Sequence, residues 1–88
     1  MRITVVGLGK IGLPLAVQFA RKGHEVIGAD INPSVVHQVQ SATEPFPGEH
    51  LLQEFLTDVV ASGLLTATTD TSAAVRVSDV VVVAVPLF

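Results

Sequence analysis

Near the N-terminus, six residues run Gly7-Leu8-Gly9-Lys10-Ile11-Gly12, with Asp30 downstream of them. Glycines at this spacing suit one task, which is bringing main chain close to an anion. Gly7 permits a tight turn out of a preceding strand. Gly9, lacking a side chain, lets a pyrophosphate reach the backbone, and Gly12 lets the next helix lie close to its sheet. Free N–H groups at Lys10 and Ile11, at the positive end of the helix dipole, would hold the phosphate charge. Asp30 would accept hydrogen bonds from ribose hydroxyls, and its carboxylate would repel a 2′-phosphate. No arginine follows it in Ile31-Asn32-Pro33, so the pattern favours NAD over NADP. The spacing alone is a weak signal. What separates it from a chance glycine turn is a strand before it, a helix after it and an acid ending the next strand.

The elements that would supply this context can be read from periodicity. Ile3 to Val6 is short, β-branched and bounded by Gly7, which predicts a buried strand. Lys10 to Lys22 is predicted as a helix, with Ile11, Leu15, Ala16 and Phe19 recurring on one face. Pro14 falls in its first turns, and Gly23 stands where a helix end favours a left-handed residue. Glu25 to Ala29 is a second strand, delivering Asp30 at its end. Asn32-Pro33 is an N-cap with proline at the first helical position. That helix runs to about Gln40 with Val35, Val36 and Val39 inward. Ser41 to Gly48 holds Pro45 and Pro47 and is predicted as a loop. Glu49 to Ser62 is a further helix with Leu51, Leu52, Phe55, Leu56 and Val59 inward. Leu64 to Thr68 is a third strand, and Thr71 to Val77 a short helix or turn capped by Thr71 or Asp70. Val80 to Val85 is a fourth strand stopped by Pro86. Alternating strands and helices imply an α/β fold with a parallel sheet. Right-handed crossovers then give the strand order 3-2-1-4 of a Rossmann-type doubly wound sheet, here ending after about four strands.

Composition narrows the remaining possibilities. The chain has 88 residues, of which 49% are hydrophobic and 15% charged, against about 25% charged in an average domain. Mean hydropathy is +0.60. Such a chain is too apolar for disorder, and the excess is expected to be surface that something else covers. The net charge is −3, from 8 acids and 5 bases. With no basic stripe, nucleic acid is not an expected partner. There are no cysteines, which excludes disulfides, thiolate metal sites and a thiol nucleophile within these residues and fits a cytoplasmic protein. No apolar run reaches the length of a membrane helix, since the longest, Val80 to Phe88, is broken by Pro86. Lys10 and the glycines argue against a secretory leader in the first residues.

Several runs together give a more specific resemblance. Val5 to Ala16 (VVGLGKIGLPLA), Gly23-His24-Glu25-Val26-Ile27-Gly28 leading to Asp30, and the Pro45 to Gly48 loop before a leucine-rich helix are three of them. Ala67-Thr68-Thr69-Asp70 and the strand ending in Val85-Pro86 complete the set. The sequence resembles the opening of the nucleotide-sugar dehydrogenases, which oxidise UDP-glucose, UDP-N-acetylmannosamine or GDP-mannose. The resemblance covers nearly the whole chain. It implies oxidation of the sugar C6 alcohol through an aldehyde to a carboxylate with two NAD+. It also implies that the catalytic cysteine and lysine lie beyond these residues. Residues 1–88 would be the N-terminal part of an NAD-binding domain, without catalytic residues or the substrate and C-terminal domains, and inactive alone. By the same resemblance the cofactor contacts are Gly7, Leu8, Gly9, Lys10, Ile11, Gly12, Asp30, Ile31, Val83, Ala84, Val85, Pro86 and Leu87. Two positions depart from the family pattern. Val35 stands where a lysine or arginine is common, and Leu87 where a threonine is common.

Two other readings compete with this one. A hydroxyisobutyrate or 6-phosphogluconate type of dehydrogenase shares the opening but lacks the proline-bearing loop and second helix. A non-catalytic dinucleotide-binding or assembly module would need no further residues. His24, His37 and His50 are scattered without supporting carboxylates, so no metal site is expected. Thr68 and Thr69 either line the pocket edge or only lead into the capping Asp70. Glu49 and Glu54 fall on different helix faces and do not form an acid–base pair. A valine-rich fourth strand at the sheet edge is expected to drive self-association, giving a homo-oligomer.

Overall fold

The structure is a computed structural model that describes residues 1–45 and 51–84. Four strands, β1 (Arg2–Val6), β2 (Glu25–Ala29), β3 (Leu65–Thr68) and β4 (Val80–Val83), form one parallel sheet in the order β3-β2-β1-β4. This is the predicted order. The helices are α1 (Gly12–Arg21), α2 (Pro33–Gln40), α3 (Leu52–Ala61) and α4 (Thr71–Arg76). Glu49, His50, Val85, Pro86 and Leu87, which the sequence reading invoked, lie outside the described residues.

Register explains which face each strand residue serves. Ile3 and Val5 alternate with Thr4 along β1 and are buried with Val26, Leu65 and Ala67 against α1 and α3. Thr4 shares the opposite face with Ile27, Val81 and Thr66. Thr4 is fully buried, and its hydroxyl donates to the Ala74 carbonyl of α4 at 3.1 Å. The Ser78 hydroxyl donates to the same carbonyl at 2.8 Å. A buried hydroxyl without a partner would cost about 1–3 kcal/mol, so this pair fixes α4, and through it the entry to β4. At the amino end of the sheet, Arg2 ties three segments together. Its Nε donates to Glu25 at 2.9 Å, its main-chain N–H to Asp79 at 2.9 Å and its Nη1 to the Val77 carbonyl at 3.3 Å.

Two apolar positions differ from the predicted inner faces. Ile11 is 60% exposed and Leu51 43% exposed. Each is the N-cap of its helix and not part of it, so helical spacing no longer governs where its side chain points. The buried stripe of α1 is Gly12, Leu13, Ala16, Val17 and Ala20, with Leu15 and Phe19 half-buried at its margins. The stripe is shifted because Gly12 must face the sheet. The helix beginning at Gly12, not Lys10, is part of the same difference.

Three of the four helices end in one arrangement. After α1, Gly23 N–H donates to Ala20 O and His24 N–H to Phe19 O. After α3, Gly63 and Leu64 donate to Val60 and Val59. After α2, Ala42 and Thr43 donate to Val39 and Gln38. This paired bonding needs a left-handed residue just past the helix, a place glycine fills without steric cost. Gly23 and Gly63 meet that need, at φ +96° and +81°, but α2 uses Ala42 at φ 54°. Ala42→Gly is therefore expected to raise stability by about 0.5–1 kcal/mol, the left-handed cost of a Cβ partly offset by the greater freedom of glycine in the unfolded chain. Urea unfolding checks this, and a lower midpoint would contradict it.

Candidate dinucleotide site

The carboxyl ends of β1, β2 and β4 meet where the strand order reverses, the point at which open α/β sheets bind ligands. Gly7 leaves β1 there, with φ +96°. Its N–H donates to the Ala29 carbonyl at the end of β2, at 2.7 Å. On the other side, Ala84 N–H donates to the Val6 carbonyl at 2.8 Å. A Cβ on Gly7 would stand 2.4 Å from the Ala84 carbonyl oxygen, and one on Gly12 would stand 1.6 Å from the Gly7 carbonyl oxygen. The turn and the first residue of α1 are thus pressed together, as the sequence reading expected for the first and third glycines.

Gly9 is different. Among the described residues, and beyond its two chain neighbours, no atom lies within 4 Å of where its Cβ would be, so these residues leave the crest of the turn uncovered. Among the described residues, the N–H groups of Gly9, Lys10, Ile11 and Gly12 donate no hydrogen bond, the first helical bonds here being Leu13 to Gly9 and Leu15 to Ile11. The α1 N-terminus has no side-chain cap and no acidic residue in its first turn. By contrast, Asn32 caps α2 and Asp70 caps α4. A cluster of unpaired donors at an uncapped helix start, beneath an open crest, fits a pyrophosphate.

Asp30 stands at the end of β2, half-buried. One carboxylate oxygen accepts the Leu8 N–H at 2.8 Å and the other the Asn32 N–H at 2.9 Å. The carboxylate is therefore oriented by main chain from both flanks, with acceptor capacity left for hydroxyls. Leu8 has a role the sequence reading did not assign. Its side chain is fully buried and its N–H is taken by Asp30, so it shapes the site from behind. Lys10, Ile11 and Ile31 are exposed around the opening, Ile31 at 90%. Val83 is exposed and Ala84 half-buried beside the turn.

Thr68 adjoins the site through main chain, its carbonyl accepting the Asp30 N–H at 3.1 Å. The Thr68 hydroxyl accepts the Asp70 N–H at 3.0 Å, and Asp70 accepts the Ala73 N–H at 3.0 Å, so Thr68 is engaged in the turn into α4. His24 and His37 lie apart, and no three metal-ligating side chains cluster among the described residues. Nor is any described helix long and apolar enough to cross a membrane.

A parallel sheet ordered 3-2-1-4, a glycine turn at its reversal point and an acid closing the second strand define a Rossmann-type dinucleotide-binding unit. Residues 1–87 match the NAD binding domain of the UDP-glucose/GDP-mannose dehydrogenase family, and the chain belongs to that family. Its cofactor is accordingly NAD. This decides against the hydroxyisobutyrate and 6-phosphogluconate types. The chain is 37% identical to the GDP-mannose 6-dehydrogenase of Pseudomonas putida over 87 residues, covering 97% of this chain and 19% of that protein. It is 38% identical to the UDP-glucose 6-dehydrogenase of Rhizobium meliloti, with the same coverage of each. Among solved structures, a ternary complex of GDP-mannose dehydrogenase from Pseudomonas aeruginosa superposes with a TM-score of 0.94 at 35% identity, over 98% of this chain and 20% of that one. The UDP-N-acetyl-mannosamine dehydrogenase of Staphylococcus aureus gives 0.88 at 40%, again over 98% and 20%. The chain thus spans about one fifth of the length of these relatives.

Proposed function

We propose that this chain is the cofactor-holding N-terminal part of an enzyme that oxidises the C6 alcohol of a nucleotide sugar to a carboxylate, using two NAD+. The observation that carries the reading is the open crest over Gly9 with its unpaired N–H groups, set beside an Asp30 carboxylate already oriented by two main-chain donors. NAD+, when bound, supplies the hydride acceptor. The residues here do the holding. The N–H groups from Gly9 to Gly12 take the pyrophosphate, Asp30 takes the adenosine ribose, and Ile11 and Ile31 offer apolar walls at the opening. Val83, Ala84, Val85, Pro86 and Leu87 stand for the nicotinamide side. No thiol in residues 1–88 serves as nucleophile, since the sequence has no cysteine. The cysteine nucleophile and most of the sugar-binding residues belong to substrate and C-terminal domains outside residues 1–88. The reading includes self-association through the edge strand β4, where Val80, Val81 and Val83 are exposed.

Calorimetric titration of the chain with NAD+ and NADP+ tests the cofactor assignment. NAD+ is expected to bind more tightly. Asp30→Ala is expected to weaken NAD+ by about tenfold, the loss of charge-assisted hydrogen bonds worth roughly 1.5 kcal/mol, and to narrow the preference. Tighter NADP+ binding, or an Asp30→Ala variant indistinguishable from the parent, would overturn it.

A further inference from the structure

We infer that Gly28 is a positioning residue for cofactor selection, acting on Asp30 through Leu8. This deepens the proposed function and rests on its assignment of Asp30 to the ribose. Gly28 sits inside β2, paired with Val5 of β1 and Ala67 of β3. Its φ is not in the left-handed region, so the backbone there does not require glycine. Glycine also costs stability in a strand interior, where it has no side chain to pack. The requirement comes from the space above it. A Cβ on Gly28 would lie 2.7 and 2.8 Å from the two Leu8 methyl carbons and 3.2 Å from Leu8 Cγ. The whole branched end of the Leu8 side chain is seated on the bare strand.

Leu8 has little room to yield. Its side chain is completely buried, among close-packed neighbours that resist added volume. Because both methyls and Cγ meet the new atom together, turning the terminal group trades one contact for another. The displacement therefore reaches the Leu8 main chain, and the Leu8 N–H is the donor that holds one Asp30 oxygen at 2.8 Å. Moving that donor by a few tenths of an ångström lengthens the bond and frees the carboxylate to turn about its remaining tie to Asn32 N–H. Leu8 also directly precedes Gly9, so the same displacement tilts the crest of the turn. The size of residue 28 thus sets the aim of residue 30, although the Gly28 backbone touches no expected part of the ligand.

Four variants of the full chain separate this role from simple strand packing: Gly28→Ala, Leu8→Ala, the two combined, and Asp30→Ala. Each is titrated with NAD+ and with NADP+, and its thermal midpoint is recorded. Gly28→Ala is expected to weaken NAD+ by about fivefold, the scale of one compromised hydrogen bond, while changing NADP+ much less, so that the preference between them narrows. Leu8→Ala removes the three atoms nearest to the new Cβ. The combined variant is therefore expected to show a wider NAD+ to NADP+ preference than Gly28→Ala alone, even where its thermal midpoint stays low. If Gly28→Ala does not fold, the combined variant is compared with Leu8→Ala alone, and the same preference is expected in both; a narrower preference in the combined variant overturns the inference. Unchanged preference in Gly28→Ala, or no recovery in the combined variant, overturns the inference when Asp30→Ala itself narrows the preference. If Asp30→Ala changes nothing, the ribose assignment fails and this inference fails with it.

Discussion

Gly12→Ala is expected to leave the chain unfolded under conditions where the parent folds. Intrinsic preference argues the other way, because alanine in a helix is favoured over glycine by about 1 kcal/mol. Steric overlap decides the outcome. The new Cβ would stand 1.6 Å from the Gly7 carbonyl oxygen, 2.8 Å from its carbon and 3.2 Å from the Ala84 Cβ. The nearest of these atoms are main chain and cannot swing aside as a side-chain tip can. Gly7 is itself fixed, its N–H bonded to Ala29 at 2.7 Å and the place a Cβ would take only 2.4 Å from the Ala84 carbonyl oxygen. Relief requires α1 to move off the sheet, and α1 carries Leu13, Ala16, Val17 and Ala20 into the core. Losing that packing costs several kcal/mol, comparable to the roughly 5–15 kcal/mol that holds a small domain together. Circular dichroism with urea titration reads the result. A cooperative transition at or above the parental midpoint would show that helix and turn are less tightly apposed than described.

Glycine spacing and valine runs made most of this architecture legible, because each strand is short, β-branched and closed by glycine, aspartate or proline. Right-handed crossovers then allow one strand order. Legibility failed where a residue's role depends on a contact distant in sequence. Leu8 occupies a variable position of the glycine pattern, and only the bare surface of Gly28 beneath it reveals why its side chain is buried. Ile11 matched helical spacing but stands before the helix begins, where apolar character says nothing about direction. Ala42 carries no turn signature at all. Its left-handed backbone is imposed by the paired hydrogen bonds that close α2, a feature recognisable only when three helix ends are set side by side. Within the glycine pattern itself, the sequence reading gives the three glycines separate tasks, and the structure adds what surrounds each, main chain pressing on Gly7 and Gly12 but not on Gly9 among the described residues.

The second glycine should therefore give a result opposite to the third. Gly9→Ala is expected to preserve the fold and to lower NAD+ affinity by about tenfold or more, at least roughly 1.4 kcal/mol. Among the described residues, and beyond the two chain neighbours, no atom lies within 4 Å of the added Cβ, and the Gly9 φ lies outside the left-handed region, so these residues present no clash and no backbone strain. Restricting the unfolded chain could even add a few tenths of a kcal/mol of stability. Gly9 O still accepts the Leu13 N–H at 3.1 Å, so the start of α1 is undisturbed. The methyl group enters the open space above the free N–H groups of Gly9, Lys10, Ile11 and Gly12. A pyrophosphate held there must stand off from at least one donor, and hydrogen bonds to a charged group are each worth about 1.5–3 kcal/mol. Thermal unfolding and calorimetry on one preparation distinguish the two effects. Parental affinity together with a parental midpoint would place the pyrophosphate somewhere other than over Gly9. A large fall in the midpoint would instead mean that the crest is packed in the free chain. If the result is as expected, two Gly→Ala changes three residues apart divide cleanly, Gly12 limiting folding and Gly9 limiting binding.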